Sequence, residues 1–227
     1  MIILTGASGG IGKELVNYLL KFDEVMGIYN KSLPPKSLDP RLKYEKINLE
    51  SSEEIKLFSK NWGPKLSRIT LIHAAAVKID RLVTDFTTAN WDCVMGVNMK
   101  GNFLITQAFL PFMVKEEWGR IIHISSLGGI QGRPGTLAYS ASKASLFGIS
   151  NVLAKEYARF NITSNVLVLG YFETGLFNEL KDTEKKRILD RIPSKSLGNI
   201  SNIAHAVDFL IKSEYVNGST INIDGGV

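Results

Sequence analysis

A tyrosine and a lysine four residues apart, Tyr139 and Lys143, have the types and the spacing that proton-transfer chemistry needs. On a helix, this spacing brings both side chains to one face. A free phenol has a pKa of about 10, and a nearby ammonium lowers that pKa by favouring the phenolate. Such a tyrosine can act as a general acid or base at neutral pH. The spacing alone is weak support, because a half-buried tyrosine beside a solvated lysine has the same spacing.

The elements that must position this pair are predicted in residues 121–146. An isoleucine-rich run at the start is typical of a strand covered on both faces. The run ends at Ser126, and a glycine-rich stretch then predicts a loop. From Tyr139 onward the apolar residues recur at helical spacing. We therefore expect Ser126, at the strand end, to reach the tyrosine across the loop.

A second glycine-rich turn, TGASGGIG at residues 5–12, lies between a short apolar strand and a helical pattern. This order forms a phosphate-binding turn, because the helix N-terminus offers free N–H groups and positive charge. Gly6 permits the tight turn, Gly10 lets a phosphate approach the backbone, and Gly12 lets the helix pack on the strand. The turn predicts a dinucleotide site, with a plain glycine turn as the alternative, since its spacing differs from GxGxxG.

The end of the second predicted strand, 25–29, bears on the choice of coenzyme. A carboxylate at this place binds the adenosine ribose and selects NAD. Here the chain continues with Asn30, Lys31 and Ser32. These side chains can accept a 2′-phosphate, so the sequence favours NADP(H) over NAD(H). The alternative is an ordinary polar turn before two prolines.

Short apolar runs alternate with helical patterns along the whole chain. This alternation predicts an α/β fold, a three-layer doubly wound parallel sheet (a Rossmann fold) of about seven strands with helices on both faces. The strands are expected at 1–4, 25–29, 42–49, 69–76, 121–126, 162–169 and 219–223. Composition shows no linker, so residues 1–227 are expected to form one NAD(P)-binding domain.

Three further side chains stand out within these elements. Asn98 interrupts a long helical region at 86–114, where it can hold a water, break the hydrogen-bond ladder, or simply face solvent. His73, inside the fourth strand, is expected to be packed or hydrogen-bonded rather than a ligand. Cys93, the single cysteine, is expected to be a small packed residue rather than a nucleophile.

Composition limits the class of partner and the compartment. The net charge is +5 over 227 residues, and the basic residues are scattered, so no nucleic-acid partner is expected. One cysteine permits no intramolecular disulfide, which suits the cytoplasm. No apolar run approaches the length of a membrane span, and the N-terminal residues lack the plan of a signal peptide. No cluster has metal-ligand spacing, so no metal is expected.

Together these residues resemble the short-chain dehydrogenase/reductase family, and most of all its 3-oxoacyl-[acyl-carrier-protein] reductase-like members. The resemblance runs from 5 to 226. TGASGGIG matches the family's TGxxxGxG, and YSASK matches its YxxxK, with Ser126 thirteen residues before Tyr139. VNMKG around Asn98 and NIDGG near the C-terminal end also match. The chain departs from the family pattern at three places. The family's NNAG segment is replaced by HAAA at 73–76. Asn48 stands where the family has an acidic residue after the third strand, and Leu169 stands where it has a proline.

The resemblance implies roles for four catalytic residues. Tyr139 is the general acid in carbonyl reduction and the base in alcohol oxidation. Lys143 lowers its pKa and binds the nicotinamide ribose, Ser126 binds the substrate oxygen, and Asn98 holds a water in a proton relay. The residues expected to bind the coenzyme are Gly6, Ser8, Gly10, Ile11, Gly12, Asn30, Lys31, Asn48, Leu49, Ala74, Ala75, Tyr139, Lys143, Gly170, Phe172 and Thr174.

The function expected from this resemblance is NAD(P)-dependent reduction of a ketone to a secondary alcohol, or the reverse, with a 3-oxoacyl thioester as one candidate substrate. A sugar or polyketide-type carbonyl is the alternative, and a non-catalytic dinucleotide-binding protein is the alternative from another class. The substrate is a small molecule, which a carrier could hold, although Leu104 and Phe160 occupy the family's basic carrier-docking positions. Residues 172–200 are expected to cover it. A homo-oligomer, tetramer or dimer, is expected through helices at 86–114 and 139–160.

Overall fold

A computed structural model of the protein describes residues 1–174, 177 and 181–227. Within these residues, seven parallel strands form one sheet in the order β3-β2-β1-β4-β5-β6-β7. The strands are β1 (Ile2–Thr5), β2 (Val25–Tyr29), β3 (Leu42–Lys46), β4 (Thr70–His73), β5 (Gly119–Ser126), β6 (Ile162–Leu169) and β7 (Thr220–Ile223). The predicted doubly wound sheet is confirmed. Its strand order reverses between β1 and β4, and a crevice opens at such a reversal.

Helices cover both faces of the sheet. They are α1 (Gly10–Leu19), α2 (Ser52–Trp62), α3 (Thr88–Met95), α4 (Gly101–Glu116), α5 (Leu127–Gln131), α6 (Leu137–Tyr157), α7 (Asp182–Arg191) and α8 (Ile200–Lys212). A single π-helical turn, Gly96–Lys100, joins α3 to α4. The short helix α5 lies where the sequence predicted only a loop, because the Ser126 hydroxyl caps it by accepting from the Gly128 N–H at 3.1 Å.

The core explains why the sequences of the central strands are largely apolar. Successive strand residues point to opposite faces. Ile2 and Leu4 pack on the side of α1 and α8, whereas Ile3 packs with Ile105 and Phe109 of α4 on the other side. Both faces of the sheet are therefore covered by helices and shielded from water. A polar side chain at every second strand position would be buried without a hydrogen-bond partner.

Two histidines form a buried pair beneath the helix α4. His73 and His123 are register partners on β4 and β5, and their rings stack with centroids 5.1 Å apart. His73 Nε2 lies 3.0 Å from the Thr106 hydroxyl, while His123 lies 3.3 Å from the Asn102 amide oxygen and 3.2 Å from the Ser164 hydroxyl. The expectation that His73 is hydrogen-bonded is confirmed. Burial lowers the pKa of His123 to about 3, with a further contribution from the Lys143 charge, and lowers the pKa of His73 well below its ordinary value.

Candidate active site

A cleft of about 420 Å³ lies at the carboxyl ends of β1, β2 and β4, where the strand order reverses. Most of the predicted coenzyme residues line it: Gly6, Ser8, Gly10, Ile11, Gly12, Asn30, Lys31, Leu49, Ala74, Ala75, Tyr139 and Thr174. The cleft therefore runs from the polar turn after β2, past the glycine turn, to Tyr139.

The glycine turn is built so tightly that side chains would not fit. Gly6 has a φ of +71°, which favours glycine, and a Cβ there would meet the Ala75 backbone at 2.7 Å. A Cβ on Gly12 would lie 2.2 Å from the Gly6 carbonyl oxygen. The first turn of α1 has neither a side-chain cap nor an acidic residue. Its N–H groups and positive end are thus available to an anion in the cleft.

The alanine segment after β4 forms the opposite wall. The Thr5 hydroxyl accepts hydrogen bonds from the N–H groups of Ala74 and Ala75, each at 3.1 Å. These two bonds fix the backbone that the glycine turn approaches, so side-chain amides at 74 and 75 are not required for this support. The short side chains also leave the cleft open.

A second pocket, of about 200 Å³, adjoins the cleft. Its walls include Ser126 at the end of β5, Tyr139 on α6 and Gly170 after β6. Tyr139 lines both the pocket and the cleft. The predicted convergence of Ser126 and Tyr139 is therefore what the structure shows, and a molecule in the pocket would lie beside one bound in the cleft.

The pKa of Tyr139 differs from the prediction that Lys143 lowers it. Burial raises the pKa of Tyr139; the Ser126 hydroxyl opposes this by hydrogen bonding, and the Asp80 charge adds to it. Lys143 is not among the causes of this shift; its Nζ lies 5.9 Å from the centre of the tyrosine ring and donates to the Ile124 carbonyl at 2.7 Å.

Lys143 itself is held inside the protein, with 3% of its surface exposed. The solvated lysine considered as an alternative is thus not observed. Burial lowers the pKa of Lys143 to about 8. A buried ammonium is costly and persists where structure holds it in place, which here is the Ile124 carbonyl at the end of β5.

Asn98 lies in the π-helical turn and is fully buried. Its Oδ1 accepts from the Val77 N–H at 2.7 Å, and its Nδ2 donates to the Val77 carbonyl at 2.9 Å and to the Ser142 hydroxyl at 3.0 Å. The solvent-facing alternative is therefore excluded. The side chain joins the loop after β4 to α6, and its predicted part in holding a water stays a prediction.

Four residues expected at the coenzyme lie off the cleft wall. Asn48 turns back on its own loop, where its amide oxygen accepts from the Glu50 N–H at 3.1 Å. Phe172 is buried in the core, Lys143 lies behind Tyr139, and Gly170 lines the second pocket. Gly170 and Phe172 follow β6, whose bounds were predicted correctly, whereas Asn48 lies beyond β3, which ends at Lys46 and not at residue 49 as predicted.

Sequence reasoning also missed residues that line the two cavities. Ile47, Glu50, Val77, Cys93 and Val97 line the cleft. The second pocket is lined by four more such residues, Lys78, Arg133, Thr136 and Tyr171. Lys78 also lines the cleft. Most of them follow the carboxyl ends of β3, β4 and β6 or lie in the loop between Ser126 and Tyr139. The rule that such strand ends surround the ligand would have found these loops, though not the individual side chains.

Of the segment expected to cover the substrate, residues 172–174, 177 and 181–200 are described, and the remainder lie outside the described residues. In the described ranges, no group of three or more His, Cys, Asp or Glu side chains could hold a metal ion. Across the same ranges, no helix is long and apolar enough to cross a membrane.

Comparison with known proteins assigns this architecture. A family model described as short chain dehydrogenase matches residues 1–185. Nodulation protein G of Rhizobium sp. (strain N33) is 33% identical over 99% of this chain and 95% of its own length. The 3-oxoacyl-[acyl-carrier-protein] reductase FabG of Thermotoga maritima is 33% identical over 99% of this chain and 96% of its own length. The structure of ElxO with NADP bound superposes with a TM-score of 0.91 at 23% identity, covering 99% and 97% of the two chains. The fold agrees with these matches, and the chain belongs to the short-chain dehydrogenase/reductase family of NAD(P)-dependent oxidoreductases.

Proposed function

We propose that the protein reduces a ketone to a secondary alcohol with NADPH, and that Tyr139 is the general acid. One observation carries this proposal: Tyr139 lines both the coenzyme cleft and the adjoining pocket. A proton donor at the boundary between two binding cavities can serve a reaction between their occupants. Ser126 lines the same pocket and offers a hydroxyl to the substrate oxygen.

The cleft fits a dinucleotide. The uncapped N-terminus of α1 faces it and suits a pyrophosphate, while a Cβ at Gly12 would fill the space between the turn and the helix. When bound, the coenzyme supplies the hydride that goes to the carbonyl carbon. Thr174 and Tyr139 line the far end of the cleft, where the nicotinamide would be held.

The chain supplies the proton. The O–H bond of Tyr139 breaks and a new O–H bond forms at the carbonyl oxygen, so that one hydride and one proton convert the ketone to an alcohol. Burial raises the pKa of Tyr139, which keeps the phenol protonated before reduction. Lys143 stabilises the phenolate afterwards, because its charge lies under the tyrosine ring at 5.9 Å.

A preference for NADPH over NADH is supported by the turn after β2. Asn30, Lys31 and Ser32 line the adenosine end of the cleft, and Lys31 offers its charge to a 2′-phosphate. Lys31→Ala should raise KM for NADPH about tenfold and leave KM for NADH nearly unchanged. If Lys31→Ala changed KM for NADPH and KM for NADH by the same factor, this turn would not be the source of the coenzyme preference.

The substrate remains a choice between carbonyl classes. The relatives named as 3-oxoacyl-[acyl-carrier-protein] reductases favour a 3-oxoacyl thioester. A sugar or polyketide-type ketone is compatible with the same catalytic cluster. The expectation that residues 172–200 cover the substrate is supported by Tyr171, the residue before this segment, which lines the pocket.

A homo-oligomer, dimer or tetramer, is supported by an apolar groove of about 330 Å³ between α4 and α6. Phe103 lines it and is 49% exposed, which is unusual for so large an apolar side chain. A single-monomer mass by light scattering at micromolar concentration would exclude this assembly.

The decisive experiment compares the wild-type protein with Tyr139→Phe. Turnover of a panel of ketones with NADPH should fall about a hundredfold or more, whereas NADPH binding, followed by its fluorescence, should persist. Unchanged turnover in the variant would refute the role of Tyr139. Coenzyme binding with no turnover of any ketone by the wild type would favour a non-catalytic dinucleotide-binding protein.

A further inference from the structure

The pocket beside Tyr139 carries a cation on a rigid turn. Arg133 lies between Gly132 and Gly135, whose φ angles of +67° and +82° fix a tight turn between α5 and α6. Thr136 closes the turn by donating its N–H and its hydroxyl to the Arg133 carbonyl, at 3.1 and 2.9 Å. Neither hydrogen bond uses the guanidinium, so the charged end of Arg133 is left for another partner.

The guanidinium itself lies on an aromatic platform. Its central carbon is 5.1 Å from the centre of the Tyr171 ring. Both Arg133 and Tyr171 line the pocket that contains Ser126 and Tyr139. This cation–π contact holds the guanidinium over the ring and leaves its N–H groups able to bind two oxygens at once.

The charge of Arg133 is not balanced within the pocket. In the described ranges, no ion pair within 4.0 Å includes Arg133. The other cation of the pocket, Lys78, is paired with Asp80 at 2.5 Å. The residues that line the pocket include no carboxylate. The pocket thus presents one available positive charge.

We propose that Arg133 binds an anionic group of the substrate, a carboxylate or a phosphate, while the reacting carbonyl lies between Ser126 and Tyr139. This inference rests on the proposed function and narrows it to carbonyl compounds that carry such an anion. The planar guanidinium matches the paired oxygens of both groups. At about 200 Å³ the pocket is smaller than an ordinary ligand site, so it holds a small substrate or the reacting end of a longer one.

Two matched pairs of substrates test the proposal and separate the two anions. Acetoacetate and ethyl acetoacetate differ in a carboxylate. The acetoacetyl thioesters of phosphopantetheine and pantetheine differ in a phosphate. In the wild type, kcat/KM with NADPH should favour the anionic member of at least one pair by about tenfold, the lower end for a charge-assisted hydrogen bond because Arg133 is exposed.

The variants isolate the charge and its platform. Arg133→Gln should reduce the preference to parity and leave the neutral substrates almost unaffected. Tyr171→Phe keeps the ring and should keep the preference, since the Tyr171 hydroxyl has no hydrogen-bond partner in the described ranges, whereas Tyr171→Leu should weaken it. Arg159→Gln is the matched control, because Arg159 also stacks on an aromatic ring, Phe160 at 4.7 Å, but lies at the amino end of β6.

Equal kcat/KM within both pairs in the wild type would overturn the proposal, as would an Arg133→Gln effect of the same size on anionic and neutral substrates. Calorimetric titration of acetoacetate and ethyl acetoacetate into the protein with NADP⁺ separates this outcome from failure of the proposed function. If the protein bound acetoacetate more tightly than ethyl acetoacetate, lost this difference in Arg133→Gln and turned over neither compound, the anion site would be supported and the proposed reductase activity refuted. Turnover of the neutral substrates without any preference would keep the reductase and remove the anion site.

Discussion

Acid should destabilise this protein through the buried pair His73 and His123. Both imidazoles are neutral in the folded chain, because burial lowers the pKa of His123 to about 3 and the pKa of His73 well below its ordinary value. In the unfolded chain each takes up a proton below a pH of about 6.5. The unfolded state therefore binds more protons than the folded state, and the free energy of unfolding must fall as the pH falls from about 6.5 towards 3.

The size of the effect follows from this difference in protons. Each histidine contributes a slope of at most about 1.4 kcal/mol per pH unit, so the pair contributes at most about 2.7. Between pH 6.5 and 5.0 the two together should remove about 3 kcal/mol. Typical domains have only about 5–15 kcal/mol in total, so this loss is large. It also precedes the titration of most carboxyl groups, whose ordinary pKa values lie near 4.

Urea unfolding followed by tryptophan fluorescence at pH 7.5, 6.5, 5.5 and 5.0 measures this loss. The midpoint should shift steadily below pH 6.5 with little change in the slope of the transition. His205→Gln, on the exposed face of α8, should keep the same pH dependence. His73→Asn with His123→Asn should flatten it, provided that the variant folds.

A change below about 1 kcal/mol in the wild type between pH 6.5 and 5.0 would refute the reasoning, because buried neutral imidazoles cannot avoid this linkage. That result would mean either that the two rings become protonated while still packed, or that the unfolded chain does not take up the protons. The wild-type measurement is sufficient by itself, whatever the fate of the double variant.

Three further results are expected. Gly12→Ala should destabilise the protein by about 1–3 kcal/mol and weaken NADPH binding, because the new Cβ would lie 2.2 Å from a Gly6 atom; the control Gly148→Ala, in open space on α6, should gain about 0.5–1 kcal/mol in urea unfolding. Asn98→Ala should cost about 3 kcal/mol, since it removes three buried hydrogen bonds, and a loss under about 1 kcal/mol would contradict its anchoring role. Because burial lowers the pKa of Lys143 to about 8, its ammonium deprotonates above that pH, and kcat/KM for ketone reduction should decline there; a profile flat to pH 9.5 would show that the charge is dispensable.

The sheet could be predicted because burial on both faces leaves a strong trace in the sequence. The bounds predicted for β2 and β6 match the structure at both ends, Val25–Tyr29 and Ile162–Leu169. The meeting of Ser126 and Tyr139 was also predictable, since a strand end and a helix start fix both positions. The glycine turn and the alanine segment were predictable as cleft residues because they directly follow the ends of β1 and β4.

The features that the sequence did not predict depend on the course of the loops and on side-chain burial, and residue spacing carries no information on either. Asn48 lies beyond β3, which was predicted to continue to residue 49, and Phe172 follows β6, whose bounds were predicted correctly. Local hydrogen bonding turns Asn48 away from the cleft, and core packing does the same for Phe172. The raised pKa of Tyr139 reflects its burial and the Asp80 charge, which no motif encodes. Arg133 lies in a loop whose course depends on two glycines with positive φ and on contacts with α6.

The reversal of strand order between β1 and β4 separates two tasks. The residues proposed to distinguish the coenzymes follow β2, on one side of the reversal, whereas the proposed proton donor Tyr139 and the second pocket belong to β5, α6 and the end of β6 on the other. Substitutions in distant groups without shared partners combine additively. Under the proposed function, coenzyme preference could therefore change through substitutions at residues 30–32 without altering the residues around Tyr139, and substrate preference could change at the second pocket without altering coenzyme binding.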